Sequence, residues 1–386
     1  MSMADFFNYA TLENMRSRPG LKWGISPPGQ IPLFIASPDF PIAPEIKQAL
    51  KDAVDAEDLY YNTDAEAREA MAEKIGRVNG VKATADDVMI IQGVDPSIWL
   101  AVRQLCSEGD EVVLTNPMYG PFQRVMKVVN TRPVLWELDA EEGYRFDPET
   151  LKELVTDRTQ LIFVCNPHNP TGRVMTEGEL KAIADVAVDY GIHVMVDELW
   201  EDVVFDGRKH VTLASLNPEI EGLTVTSWGF SKTFGVAGLK LGYLCTTNQE
   251  MMRGMKGHAS NIQRGSSNLS KAVAPMMLDS TLDWWRKGLM EHLHRIRGIC
   301  EKRIDDISGV TLQKLEGTYV PFPRFDYGMS SRELRDYLSN EAGIGMSVGI
   351  SYGSKGEGHL RMCVATSEAI ITEVFDRMEA ALEKLD

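Results

Sequence analysis

Cysteine is scarce in this sequence and never paired. Cys106, Cys165, Cys245, Cys300 and Cys363 stand apart, odd in number and without a CxxC spacing, which excludes a disulfide framework and a structural zinc site built on thiolates. Positive charge is also short: 40 Lys and Arg against 56 Asp and Glu leave a net charge of −16. Nucleic acid and anionic membrane surfaces are thereby excluded as main partners, because both are bound through basic patches. No apolar run reaches the roughly 20 residues needed to cross a bilayer. The opening MSMADFFNYATLENMRSRPG has no basic stretch leading into an apolar core, so a cytoplasmic location is expected.

What is present is an ordinary globular composition, 44% hydrophobic and 25% charged, in a chain of 386 residues, enough for two or three domains. Prolines 19, 27, 28, 32, 38, 41 and 44 crowd the first 44 residues, which read as an extended arm. Pro44 then opens a helix with Ile46, Leu50 and Val54 on one face. From about residue 64, helical stretches at 64–78, 96–106, 122–129 and 176–190 are interleaved with the apolar runs DVMIIQ, GDEVVLT, RPVLWEL, LIFVCN, HVMVDE and LTVTSW. Continuous apolar runs of that length imply a mostly parallel sheet covered on both faces, an α/β architecture of three layers. Past residue 250 the pattern changes. A long helical stretch near 270–307, broken around 278–282, precedes strand-like TLQKL and GTYVPFPRF. A helix at 331–342, the segment GHLRMCVAT and a last helix at 367–385 complete a smaller α+β domain. The expected division is an arm at 1–44 that joins the small domain, a large domain at 45–275 and a small domain at 276–386.

Ligands of parallel α/β sheets bind at the carboxyl ends of the strands. After DVMIIQ come Gly93, Val94, Asp95 and Pro96 and a helix start, a place for an anion on backbone N–H groups. After GDEVVLT comes Asn116-Pro117-Met118-Tyr119, after LIFVC the run NPHNPTG with Asn169, after HVMV Asp197, and after LTVTSW Lys232. Taken singly, each has a plainer reading: a solvated loop lysine, a turn asparagine, a capping aspartate, a core tyrosine, a surface arginine. Asp95, followed by Pro96, is read as the N-cap of the next helix. Gly343-Ile344-Gly345 followed by Gly349 lacks the spacing of a dinucleotide fingerprint, and His292 and His294 lie on different helix faces and make no metal pair. No metal is expected.

Together these residues carry a resemblance. SKTFGVAGLKLGY, around Lys232, resembles the lysine segment of the fold-type I pyridoxal-phosphate (PLP) enzymes of the class I/II aminotransferase family. KWGISPPGQIPLFIASPDFPIAPEIKQAL, residues 22–50, is most similar to the branch holding the cystathionine and cysteine β-lyases. The resemblance implies a three-layer fold-type I architecture, PLP as cofactor, and a homodimer with shared sites. Lys232 is implied as Schiff-base partner and proton carrier, and Asp197 as the acid facing the pyridine nitrogen. Tyr119 is implied as the ring stacked on the cofactor, and Asn169 as the donor to its hydroxyl. Gly93, Val94, Asp95, Ser227, Ser231 and Lys240 would hold the phosphate, with Tyr61 reaching that of the partner subunit, and Arg361 would grip the substrate α-carboxylate.

Four positions depart from the family pattern. Trp200 stands where tyrosine or histidine is usual, and an indole donates a hydrogen bond but accepts none. Gly229 replaces a phosphate-binding serine, Lys240 an arginine, and Asp95 brings a carboxylate to the phosphate. Three functions stay open: an aminotransferase acting on an L-amino acid and a 2-oxo acid, a carbon–sulfur β-lyase, and a non-catalytic regulatory protein on the same fold. The GFSKTFGVAGLKLGY segment and the absence of histidine at 200 lean to transamination. Arg16, Arg18, Arg264 and Arg286 are candidates for a distal substrate carboxylate.

Overall fold

A seven-stranded sheet forms the centre of the chain, which a computed structural model describes over residues 2–263 and 265–385. Its strands are β1 (Val88–Ile91), β2 (Glu111–Asn116), β3 (Arg132–Glu137), β4 (Thr159–Cys165), β5 (His193–Asp197), β6 (Thr224–Gly229) and β7 (Gly242–Cys245). In space they run β1-β7-β6-β5-β4-β2-β3. Every residue of β1 and β2 is buried, as expected of strands covered on both faces, whereas β3 at the edge is largely exposed and carries Pro133 where a missing N–H is tolerated. Strand β7 is antiparallel to both neighbours, β1 and β6. Residues 230–241 between β6 and β7 include only a short 3₁₀ turn at Ala237–Leu239, so the chain makes no helical crossover and must return antiparallel.

Alternation along the strands feeds two cores. Val112, Leu114, Phe163, Met195 and Leu244 pack with Ile98 and Met255 on one face; Val113, Ile162, Val194 and Val196 pack with Leu180 and Ile183 on the other. A third core joins the arm residues Phe7, Leu33 and Phe40 to Trp285, Ile296, Phe375 and Met378 of the carboxyl-terminal helices.

Several expectations are corrected. The arm is not wholly extended: it holds short helices at Met3–Phe7 and Leu12–Arg16, each begun by a capping box, from Ser2 and from Thr11. The helix Pro44–Asp55 buries Ile46 and Ala53 but leaves Val54 exposed. The stretch at 64–78 is α-helical only over Ala65–Lys74 and continues as a π-helical turn to Gly80. TLQKL and GTYVPFPRF yield only the pairs Val310–Thr311 and Arg324–Phe325. Pro321 and Pro323 accept from the N–H groups of Met362 and Leu360 but have none to give back, and the return bond comes only beyond them, from the Phe325 N–H to Gly358 O at 2.8 Å.

Candidate active site

Lys232 stands in the turn after β6, and its position is set from two sides. The ammonium donates to Ala36 O at 2.9 Å and lies 5.3 Å from the centroid of the Trp200 ring, while its carbonyl accepts from Tyr319 Oη at 3.1 Å. Burial, and next the Arg361 guanidinium, bring the amine down to about 8. Asp197 ends β5 and is 3% exposed. The Leu199 N–H donates to Oδ1 at 3.0 Å, and the other oxygen has no hydrogen-bond partner among the described residues. Burial pushes this carboxyl up to about 7.

Arg361 is buried on the far side of the cleft. It donates through Nη1 to Asn169 Oδ1 at 3.0 Å and through Nη2 to Phe34 O at 3.1 Å, its guanidinium carbon lies 5.0 Å from the Tyr352 ring centroid, and its Nε is buried without a partner. Because Asn169 accepts through Oδ1, its amide nitrogen remains available to donate to an oxygen. Tyr119 Oη donates to Asp95 Oδ1 at 3.3 Å, and burial raises the phenol's affinity for its proton. The charges of Asp95, Asp197 and Arg361 all act on Tyr119, and those of Asp95, Asp197 and Arg361 act on Lys232, which ties these groups into one cleft.

The phosphate residues divide. Gly93 turns the chain from β1 into the helix Asp95–Leu105 with a φ of 91°, and a Cβ on Gly242 would meet its carbonyl carbon at 2.9 Å, so two glycines permit this close approach. Val94, with its side chain buried, is the N-cap in place of Asp95, which is the first helical residue and makes no capping bond. Ser227 is a correction: it is wholly buried in β6 and its hydroxyl donates to Val196 O at 3.4 Å, inside the sheet. Ser231 is half-buried and Lys240 exposed, the latter at a φ of 50°. A serine at Gly229 would need its neighbours to shift, since an added Cβ would lie 2.9 Å from Leu199 Cδ1 and 3.2 Å from Val94 Cγ2. Trp200 is buried against Tyr319, ring centroids 4.6 Å apart, and its N–H has no partner among the described residues. Tyr61 is fully exposed, beside exposed Leu59 and Tyr60.

Of the arginines considered for a distal carboxylate, Arg286 is committed to Asp202, Asp283 and backbone carbonyls, and Arg18 donates to Phe40 O; Arg264 lies outside the described residues. Arg16 lines an exposed groove with Trp23 and Arg377. The carbonyls of Ala36 and Phe34 carried no sequence signal, since a main-chain acceptor is invisible in residue type, and the Tyr319 hydroxyl, a donor to the Lys232 carbonyl, carried none because it lies 87 residues away.

Behind the cleft, Glu198, Glu201 and His210 bring ligand-type atoms within 4.8 Å of one another. This group already has partners of its own: Lys74 pairs with Glu201, and His210 Nε2 lies 3.0 Å from Glu198 Oε2. Burial opposes the charge on His210, yet the Glu198 carboxylate raises its proton affinity above the ordinary value. Trp228 Nε1 and Thr212 Oγ1 also donate to Glu198, at 3.0 and 2.8 Å, and so brace the chain next to Asp197.

An amine on one strand end, a buried acid on the next and a sheet of this order define a fold-type I PLP enzyme. The chain belongs to the aminotransferase class I and II family, whose sequence profile matches residues 28–378. It is 30% identical to aromatic-amino-acid aminotransferase 2 of Thermococcus litoralis over 100% of this chain and 99% of that protein. It is 27% identical to cystathionine beta-lyase PatB of Bacillus subtilis over 91% and 92% of the two chains. The crystal structure of the aromatic aminotransferase from Pyrococcus horikoshii superposes with a TM-score of 0.88 at 29% identity, covering 94% of this chain and 98% of that one. A PLP-bound structure from Clostridium difficile 630 gives 0.87 at 26% identity, covering 92% of each chain. PLP is the cofactor, and the residues fit it: Lys232 offers a weakly basic amine, Asp197 an unpaired oxygen, and Asn169 an unused amide nitrogen.

Proposed function

We propose that this protein moves an amino group between an L-amino acid and a 2-oxo acid, with Lys232 as the covalent anchor of PLP and then the carrier of the proton. Bound PLP supplies a ring that draws electron density from Cα of the amino acid joined to it. Asp197 keeps the ring nitrogen charged, a task for which its burial and its one unpaired oxygen suit it. Arg361 holds the substrate carboxylate with a bidentate fork, oriented by Asn169, Phe34 O and the Tyr352 ring. Tyr119 covers the ring face. With an amine brought down to about 8, Lys232 can both take and return a proton near neutral pH.

The observation that carries this reading is the convergence of a weakly basic Lys232 and a buried, half-satisfied Asp197 on a cleft closed by Arg361. A carbon–sulfur β-lyase is the second reading, favoured by the similarity of residues 22–50 and by the PatB relative. Incubation with an amino acid and 2-oxoglutarate, and separately with cystathionine or cysteine, divides the two. Amino exchange without ammonia is expected; ammonia, pyruvate and thiol together would establish the lyase. Inert binding of PLP, with neither product, would leave a regulatory protein.

Exposed Tyr61, Tyr60 and Leu59 support a homodimer in which Tyr61 reaches the partner's phosphate site. Five buried free thiols support residence in the cytoplasm.

A further inference from the structure

Few groups remain to hold a phosphate at the turn after β1. Ser227 is turned into the sheet, Gly229 has no side chain, Pro96 lacks an N–H, and the Ser97 N–H is spent on Val94 O at 2.9 Å. What is left within one chain is the N–H groups of Val94 and Asp95, the Ser231 hydroxyl, and Lys240, a point charge without a fork, to which a second copy would add its Tyr61. Into this depleted site the chain brings a carboxylate. Asp95 is exposed, caps nothing, and is fixed by Tyr119 Oη at 3.3 Å, on the ring assigned to cover the cofactor. Its charge reaches both Asp197 and Lys232.

We propose that Asp95 opposes the cofactor's phosphate, so that PLP is retained mainly through Lys232 and the ring contacts and exchanges readily with the free pool. The proposal rests on the PLP reading and on the phosphate lying at Gly93–Asp95. A carboxylate beside a group carrying nearly two negative charges lowers affinity by Coulomb repulsion, against which the site sets a single full positive charge, Lys240. The free chain tolerates the carboxylate because the helix start and Tyr119 hold it when no phosphate is there.

The test is equilibrium titration of the cofactor-free protein with PLP, and separately with pyridoxal, which has the aldehyde and ring but no phosphate. Asp95→Asn keeps the shape and the Tyr119 contact while removing the charge. It is expected to tighten PLP by about tenfold relative to pyridoxal, since any effect passed through Lys232 or Asp197 is common to both aldehydes, and to strengthen competition by inorganic phosphate. Unchanged or weaker PLP binding relative to pyridoxal overturns the proposal, an equal gain for the two included. If the wild-type protein takes up neither aldehyde as a reducible adduct on Lys232, the cofactor reading itself falls, an outcome distinct from uptake that is indifferent to Asp95.

Discussion

Asp197 is expected to cost the cofactor-free protein stability, and replacing it should return that stability. Its carboxyl sits 3% exposed with one oxygen unpaired, and burial carries it from 3.8 to about 7. At ~1.4 kcal/mol for each tenfold change in proton affinity, that displacement corresponds to roughly 4 kcal/mol. The sign follows from proton counting: between pH 3.8 and about 7 the folded chain holds a proton that the unfolded chain has lost, so stability falls as pH rises through this window. Above it both states are ionised and the full penalty is present. Asp197→Asn mimics the protonated form. It should therefore stabilise the cofactor-free protein by up to roughly 4 kcal/mol at pH 8, and by about half as much at pH 5.5, still above the isoelectric point near 5.0. Urea unfolding at the two pH values reads both quantities. Destabilisation by the variant, or a gain that does not change with pH, would refute the reasoning. With PLP bound the order should invert, because a neutral amide cannot hold a charged ring nitrogen.

Other outcomes follow from the same geometry. Lys232→Ala should abolish turnover and leave no adduct with PLP that borohydride can reduce; substantial residual activity contradicts the assignment. The rate of PLP capture by the cofactor-free protein should rise with pH and level off above about 8, where the amine becomes neutral, instead of climbing toward 10.5. Arg361→Lys should raise KM for the amino acid by two orders of magnitude, roughly 3 kcal/mol of charge-assisted pairing, while leaving PLP uptake intact in a binding titration.

Six of the seven strands were legible as apolar runs, DVMIIQ through LTVTSW, most of them buried on both faces; β7 was not, because Gly242 and its short four-residue length break the run. Lys232, Asp197, Asn169 and Tyr119 were legible because each follows such a run. Failures came where the backbone answers to distant partners. GTYVPFPRF reads as a strand, but its two prolines accept bonds from the facing segment and return none, so the pairing is reduced to its Phe325 end. The arm has the prolines of an extended segment, yet Phe7 packs 5.2 Å from Trp285 and 5.1 Å from Phe40, ring centroid to centroid, and that burial supports a helix too short to persist alone.

Asp95 and Ser227 show the same limit inside the site. A carboxylate followed by proline at a strand-to-helix junction has the local form of a cap, and a serine near the catalytic lysine has the local form of a phosphate ligand. The first used only neighbours in sequence, and the second a family resemblance carried by them. The structure replaces them with partners from elsewhere: Tyr119, 24 residues on, holds the Asp95 carboxylate in the cleft, and Val196, 31 residues back, takes the Ser227 hydroxyl out of it. The two changes act in one direction, removing a donor and adding a negative charge where a phosphate is to bind. A site whose chemistry is intact at Lys232 and Asp197 but whose phosphate contacts are thinned should depend on the covalent bond for cofactor retention more than on ion pairing. Lys232→Ala should accordingly lose bound PLP outright, even though every proposed phosphate contact remains in that variant.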